Sequence, residues 1–210
     1  MNLWEFFASH RAEIFEATLA HLFLVAVSMG IAIAIGVPLG MILVKRKRLR
    51  AIALGIASVV QTIPSLALFG FLIPLPFLGG IGARTAVIAL VLYALLPILR
   101  NTVVGLTNLD LAVLDAAEAM GMTETQILIK VRFPLGLSVV LAGVRTATVI
   151  TIGVATIAAA IGAGGLGTFI FRGVAMVNDA VILAGAIPAA LLALAADAAL
   201  GVLERKLKVV

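Results

Sequence analysis

The sequence predicts an all-α integral membrane protein, and three observations support that prediction. The 210 residues are 63% hydrophobic and only 12% charged, with a mean hydropathy of +1.26. A soluble domain of this length needs more polar residues to cover its surface. Apolar segments long enough to cross a hydrocarbon core of about 30 Å recur along the chain. There is no cysteine, which excludes a disulfide scaffold and thiolate metal sites.

Five segments provide the roughly 20 mostly apolar residues that a membrane-spanning helix needs. Residues 1–17 precede them and mix acidic with aromatic side chains, which is typical of an extracytoplasmic or interfacial segment. The glycine-rich region 161–177 is apolar and has room for a short re-entrant or interfacial helix. The expected spans cover about 18–44, 51–73, 83–100, 135–160 and 180–203.

Lysine and arginine predict the orientation of the spans, because these residues concentrate on the cytoplasmic side. Three of them, Arg11, Arg84 and Arg172, fall on the side with fewer basic residues. The N-terminus is therefore expected outside and the C-terminus in the cytoplasm, and the net charge of +5 indicates topology rather than a nucleic-acid partner. The side with more basic residues carries Lys45, Arg46, Lys47, Arg48, Arg50, Arg100, Lys130, Arg132, Arg205, Lys206 and Lys208.

A polar segment with helical periodicity, residues 109–134, interrupts the apolar sequence on the expected cytoplasmic side. Asp110 is placed to cap a first helix, and Gly121 to end it in the left-handed conformation that glycine adopts without penalty. Thr123, with a glutamine three residues later, fits a capping box for a second helix that ends at Pro134. Periodicity leaves two interpretations: a docking surface for another protein, or an interfacial linker between two spans.

The stretch DAAEAMGMTETQILIKVRFP, residues 115–134, resembles the EAA loop of bacterial ABC importer permeases. That loop follows the pattern E-A-A, three residues, Gly, nine residues, I-x-L-P. Asp replaces Glu, Val replaces Ile and Phe replaces Leu here, and each replacement keeps the chemical type. Four further stretches are similar to the permeases of importers for glycine betaine, choline, carnitine and related osmoprotectants: GIASVVQTIPSLALFGFLIPL, LYALLPILRNT, AGVRTATVITIG and IGAGGLGTFIFRG.

The resemblance implies a five-span permease domain over residues 18–205, with the type I ABC importer fold, in the bacterial cytoplasmic membrane. It implies cytoplasmic ATP-binding subunits that hold ATP–Mg, a second permease copy or paralogue, and an extracytoplasmic substrate-binding protein. The chain itself is then no enzyme and carries no cofactor. The alternatives are an importer for another small solute such as an amino acid, and an ATPase-independent channel or secondary transporter. The implied ATPase-coupling residues are Asp115, Ala116, Ala117, Glu118, Gly121 and Pro134.

Two prolines and a tyrosine lie within the expected spans. Pro64 removes a backbone hydrogen bond beside Gln61 and Thr62, and the alternatives are a bend in the solute pathway or ordinary curvature packed in the bundle. For Pro97 the packing interpretation is favoured. Tyr93 has an aromatic face that attracts quaternary ammonium by cation–π interaction, although a core tyrosine with a hydrogen-bonded hydroxyl is the favoured interpretation.

The GAGGLG motif at 162–167 has the spacing of a dinucleotide-binding loop, but an apolar span precedes it where that loop requires a strand. Close packing and backbone flexibility are expected instead. The chain contains no Walker A motif, so ATP hydrolysis is expected in a separate subunit. His10 and His21 fit no metal-site spacing, and no metal is expected. The resemblance assigns four glycines to the outer gate region: Gly162, Gly164, Gly165 and Gly167.

Arg145 and Asp197 are ionisable residues inside expected spans. A lone charge at the bilayer centre costs about 2.5–3.5 kcal/mol on translocon scales. At ~1.5 Å per residue, the two lie at similar depths from the cytoplasmic side. They are therefore expected to form an ion pair that acts as a structural or gating bridge. The alternative is that each side chain extends separately to the interface.

Overall fold

The computed structural model describes residues 3–76 and 79–207, and within these ranges the regular structure is entirely helical. Ten α-helices follow one another along the described chain. A π-helical turn, Leu128–Arg132, joins the seventh to the eighth, and a 3₁₀ turn, Ala158–Ile161, extends the eighth. The helices are α1 (Leu3–Ser9), α2 (Arg11–Leu43), α3 (Lys47–Thr62), α4 (Ser65–Leu72), α5 (Ala83–Thr107), α6 (Leu111–Ala119), α7 (Glu124–Ile127), α8 (Phe133–Ile157), α9 (Gly167–Met176) and α10 (Asp179–Lys206).

Four helical stretches of the described chain are long and apolar enough to cross a membrane, and a fifth span is formed if α3 and α4 are counted together. Those two helices meet at an angle of 102°. The four are α2, α5, α10 and the continuous helix from Glu124 to Ile161. The expected all-helical architecture of five spans is confirmed at four to five apolar spans, because the second expected span is sharply broken between α3 and α4 rather than straight.

Several boundaries differ from the sequence expectation because the helices extend beyond their apolar stretches. The first membrane helix begins at Arg11, so residues 11–17 belong to it and not to a separate N-terminal segment. The third expected span, 83–100, continues to Thr107. Hydropathy detects only the apolar part of a helix, whereas backbone hydrogen bonding continues into the polar interface. Lys208, which contributed to the predicted orientation, lies outside the described residues.

Helix α5 occupies the centre of the bundle and packs against α2 and α8. Glycines allow these close approaches. A Cβ on Gly36 of α2 would lie 2.7 Å from Cγ2 of Ile98, and a Cβ on Gly136 of α8 would lie 2.5 Å from the Gly105 carbonyl oxygen. Lipid supplies no hydrophobic force between helices, so membrane bundles depend on such close packing. Substituting these glycines would separate α5 from its neighbours.

The N-terminal helix α1 folds onto α10 at the end of the bundle opposite the segment 109–134. Phe6 is buried, and its ring meets Phe169 of α9 edge-on, with centroids 6.4 Å apart. Arg172 lies over the Phe169 ring at 4.9 Å and donates to Glu13 at 2.8 Å. Helix α9 is therefore fixed to both α1 and α2, and it is the short helix that the composition of 161–177 has room for.

Candidate functional site

Segment 109–134 forms a helical hairpin whose turn is built by short-range hydrogen bonds. The Asp110 carboxylate accepts from the amide of Ala112 at 2.9 Å and caps α6. Gly121 has φ +76°; its amide donates to the Glu118 carbonyl at 2.9 Å, and the next amide donates to Ala117 at 3.2 Å. This is the Schellman arrangement, which requires a left-handed residue after the helix.

The second arm of the hairpin begins at Thr123. Its amide donates to the Gln126 side chain at 2.8 Å, and its hydroxyl accepts from the Gln126 amide at 3.4 Å. This reciprocal capping box satisfies two amides at the start of α7. The predicted caps at Asp110 and Thr123 and the predicted left-handed glycine are all confirmed.

The hairpin has a small core of its own, and that core corrects one predicted contact. Leu114 and Ala117, one helical turn apart on α6, pack against Ile127 of α7 and are buried. Ala117 was expected to contact a partner protein, but it is only 2% exposed. Its small side chain allows α6 to approach α7. Leu111, placed on the same face by its spacing, is instead 73% exposed.

The outward surface of the hairpin carries the remaining predicted coupling residues of α6 and the turn. Asp115, Ala116, Glu118 and Gly121 are exposed. A Cβ added to Gly121 would meet no atom of the chain within 4 Å. Met120, which was not among the predicted coupling residues, is 73% exposed beside this glycine. Its only sequence signal is that it is apolar in a polar segment outside the spans.

The second arm does not end at Pro134 as predicted, but runs without interruption into α8. Between Leu128 and Arg132 the backbone adopts a π-helical turn, in which the amide of Phe133 donates to the Leu128 carbonyl five residues earlier. Pro134 follows in the first turn of α8, and the wider turn accommodates a residue that has no amide hydrogen. Pro134 therefore lies at a joint between the hairpin and the membrane helix.

Two side-chain contacts fix the second arm of the hairpin to other spans. Lys45, just after α2, donates to the carboxylate of Glu124, and this hydrogen bond holds the pKa of Glu124 below its ordinary value. Arg132 donates to the Leu106 carbonyl of α5 at 2.9 Å. The hairpin is thus continuous in the chain with α5 and α8, and hydrogen bonds attach it to the end of α2 and again to α5. Neither anchor was predicted, because nothing local to either cation indicates its distant partner.

The predicted pathway residues Gln61, Thr62 and Pro64 lie at the break between α3 and α4, the first two at the end of α3. Gln61 is partly exposed, and Thr62 and Pro64 are exposed. Ile63, the first residue after α3, has extended backbone angles, as the position before a proline favours. Its carbonyl accepts a hydrogen bond from the hydroxyl of Tyr93. Tyr93 is buried and satisfies a carbonyl at the break, which is the core role that the sequence favoured.

The glycine segment 162–167 is a compact turn between the 3₁₀ turn and α9. Gly162, Gly164 and Gly165 have φ of +74°, +80° and +83°, which is the region that favours glycine over other residues. The fourth glycine, Gly167, is limited by space instead, since a Cβ there would lie 1.8 Å from the Thr156 carbonyl oxygen. The helices on either side exclude a dinucleotide-binding fold.

Beneath this turn lies His21, whose side chain is buried. Its Nε2 is 3.2 Å from the Ile152 carbonyl, and a Cβ on Gly165 would lie 3.1 Å from its Nδ1. His21 therefore serves as packing between α2, α8 and the glycine turn. Among residues 3–76 and 79–207, no group of three or more side chains is arranged to hold a metal ion.

Arg145 and Asp197 meet in a two-pronged ion pair. Nε of Arg145 is 2.6 Å from Oδ1 of Asp197, and Nη2 is 2.7 Å from Oδ2. Nη1 of Arg145 also reaches Glu204 at 3.3 Å. A Cβ on Gly201 would lie 3.1 Å from the guanidinium carbon, so this glycine makes room for the arginine. Glu204 was missed, although it lies two helical turns after Asp197 and therefore on the same face.

A comparison with known protein families identifies the family to which this helical bundle and its hairpin belong. Residues 23–209 match the family described as binding-protein-dependent transport system inner membrane component. The chain belongs to this family. It is a multi-pass inner-membrane transport permease subunit, as the hairpin resemblance predicted.

Relatives and solved structures agree with this assignment. The chain is 44% identical to the carnitine transport permease protein OpuCD of Listeria monocytogenes over 207 residues, covering 98% of this chain and 92% of that protein. It is 43% identical over 182 residues to the osmoprotectant import permease protein OsmW of Salmonella typhimurium, covering 86% and 85%. The MetNI methionine ABC transporter in an inward-facing form has a TM-score of 0.80 at 25% identity, covering 90% and 93%. The fold is that of type I ABC importer permeases.

Proposed function

We propose that this chain is the permease subunit of an ATP-driven importer for quaternary-amine osmoprotectants of the glycine betaine, choline and carnitine type. The observation that carries the proposal is the hairpin 109–134, with an exposed acidic and small-residue surface at the ends of the spans. Such a surface fits a groove on a soluble partner better than it fits lipid. Cytoplasmic ATP-binding subunits that hold ATP–Mg are the proposed partner, and the chain itself hydrolyses nothing.

The helical path from the hairpin supports a mechanical role. No loop interrupts the chain between Glu124 and Ile161, so a displacement of the hairpin moves α8 as a body. Helix α8 is in turn attached to α10 through Arg145 and Asp197. We infer that ATP-driven approach of two ATPase subunits draws two hairpins together and rotates the spans between inward- and outward-facing states. A second permease copy or a paralogue supplies the other hairpin.

The substrate class rests on the relatives. The protein of Listeria monocytogenes is named for carnitine, and one of Bacillus subtilis, 47% identical over 169 residues, for glycine betaine, carnitine and choline. An extracytoplasmic binding protein delivers the solute in this proposal, which places the N-terminal end of the bundle outside. Titrating that binding protein with betaine, choline, carnitine and methionine tests the class. Tight binding of methionine alone would favour the amino-acid alternative.

The coupling assignment is tested with Gly121→Leu in the complete transporter reconstituted in vesicles. A Cβ at this position meets nothing within 4 Å, and the strain that leucine suffers at φ +76° is confined to an exposed turn outside the spans. The variant is therefore expected to insert and fold. We expect substrate-stimulated ATPase activity and uptake to fall at least about tenfold, because losing about 1.4 kcal/mol of docking free energy weakens binding of the ATPase subunit tenfold. Uptake at the wild-type rate would contradict the assignment.

Two controls separate docking from strain. Gly121→Asn keeps a residue that tolerates the left-handed conformation and carries a smaller side chain, so it is expected to retain intermediate activity. Gly55→Leu places the same bulk on α3, where a Cβ also meets nothing within 4 Å. This second variant is expected to transport normally. Equal losses in Gly55→Leu and Gly121→Leu would show that the assay reports membrane insertion and not coupling.

A further inference from the structure

A dense cationic surface lies where α2 gives way to α3. Residues 45–50 read KRKRLR, and five of the six are basic. Lys45 is paired with Glu124. The other four have no carboxylate partner among residues 3–76 and 79–207: Arg46, Lys47, Arg48 and Arg50. Three of these are exposed and Arg50 is partly exposed.

The local structure increases the positive potential instead of relieving it. Lys47, Arg48 and Arg50 occupy the first turn of α3, which contains no acidic residue and has no side-chain cap. The start of a helix carries partial positive charge, so acidic residues are favoured there and cations are not. A negatively charged group is therefore favoured beside these cations, and residues 3–76 and 79–207 do not supply one.

The apolar residues of α3 fix the depth of this surface. Leu49, Ile52, Ile56 and Val59 recur at helical spacing and are 47–62% exposed, which forms an apolar stripe along the outside of the helix. At ~1.5 Å per residue, the stripe rises about 15 Å from its first member to its last. That is about half of a hydrocarbon core, so the basic turn at its foot lies at the level of lipid headgroups.

We propose that Arg46, Lys47, Arg48 and Arg50 form a docking surface for anionic phospholipid headgroups, on the membrane face that carries the coupling hairpin. Charge complementarity selects the occupant, because clusters of four or more cations next to a membrane helix attract anionic lipid. The Lys45–Glu124 contact places this surface beside the start of the hairpin's second arm. The proposal requires membrane insertion but not the proposed substrate or ATPase coupling.

The test measures lipid retention by the purified transporter. The complete complex is titrated in detergent with phosphatidylglycerol or phosphatidylcholine, and bound lipids are counted by native mass spectrometry. The variant carries Arg46→Gln, Lys47→Gln and Arg48→Gln together. We expect its apparent affinity for phosphatidylglycerol to fall at least about tenfold, since each cation near an anionic surface contributes to binding. Its weak affinity for phosphatidylcholine should not change, and 0.5 M salt should abolish the difference by screening.

Matched variants make the result specific. Arg205→Gln with Lys206→Gln removes two cations from the end of α10 and is expected to keep phosphatidylglycerol affinity within twofold of wild type. Arg46→Lys with Arg48→Lys preserves the charge and is expected to do the same. Unchanged phosphatidylglycerol affinity in the triple variant would overturn the proposal. Dissociation of the ATPase subunits from the triple variant in lipid-free detergent would also overturn it, by assigning the surface to a protein partner.

Discussion

Replacing Gly167 with alanine tests how closely α9 is seated on the end of α8. A Cβ at this position would lie 1.8 Å from the carbonyl oxygen of Thr156, whereas ordinary contact begins at 3.4 Å. The separation must therefore grow by about 1.6 Å. The obstructing atom belongs to the backbone of a helix, so no side-chain rotation relieves the overlap. Only a shift of α9 away from α8 accommodates the methyl group.

The shift of α9 away from α8 determines how much stability Gly167→Ala loses. Overpacking a close-packed site destabilises proteins by about 1–3 kcal/mol, and a backbone clash of this size belongs at the upper end. About 3 kcal/mol corresponds to a decrease in Tm of about 6–12 °C for a chain of about 200 residues. We expect this decrease for the purified permease in detergent, measured as the temperature at which half of the protein loses its monodisperse elution peak.

Gly153→Ala is the matched control. Gly153 lies on α8 one turn before Thr156, and a Cβ there meets nothing within 4 Å. Alanine in place of an exposed helical glycine stabilises by about 0.5–1 kcal/mol. The two substitutions add the same methyl group, yet their effects on Tm are expected to have opposite signs. A Tm for Gly167→Ala equal to or above that of wild type would refute the close-packing argument.

Two further predictions concern side-chain contacts between spans. Tyr93→Phe leaves the Ile63 carbonyl without its donor at the α3–α4 break, so the free energy of unfolding is expected to fall by about 1–3 kcal/mol. The same thermal assay should therefore show a lower Tm. An unchanged Tm would mean that the carbonyl needs no donor. In uptake assays, Arg145→Gln is expected to be more harmful than Asp197→Asn, because it strands two carboxylates whereas Asp197→Asn leaves Arg145 with Glu204. The double variant Arg145→Asp with Asp197→Arg exchanges the two charges and should restore part of the uptake that each single substitution removes. No recovery would show that the pair does more than hold two helices together.

The local features of the hairpin were predictable because they depend on neighbours within four residues. The cap at Asp110, the capping box at Thr123 and the left-handed Gly121 each follow from rules about helix ends. The burial of Ala117 was not predictable in the same way. Its exposure depends on where α7 folds back, and a helical face does not indicate which of its residues a neighbouring helix will cover.

The ion pair between Arg145 and Asp197 shows how far a depth argument extends. The cost of an unpaired charge in lipid and the rise per residue together predict that the two meet. Glu204 was not predicted in this way, because it lies near the end of its helix, where a charge can reach water without a partner. The space that Gly201 leaves for the Arg145 guanidinium likewise depends on how α8 packs against α10, which the sequence does not indicate.

What the sequence alone determined is the membrane class, the approximate apolar spans, the caps of the hairpin helices and the family resemblance, since each depends on composition or on residues close together in the chain. The tertiary structure decided the 102° break at Ile63, the continuous path through Pro134, and the anchors from Lys45 and Arg132. Proline removes one hydrogen bond wherever it occurs. Whether the helix bends or continues depends on what surrounds the proline. At Pro64 the helix is broken, and the Tyr93 hydroxyl donates to the Ile63 carbonyl at the break. Before Pro134 a π-helical turn keeps the helix continuous.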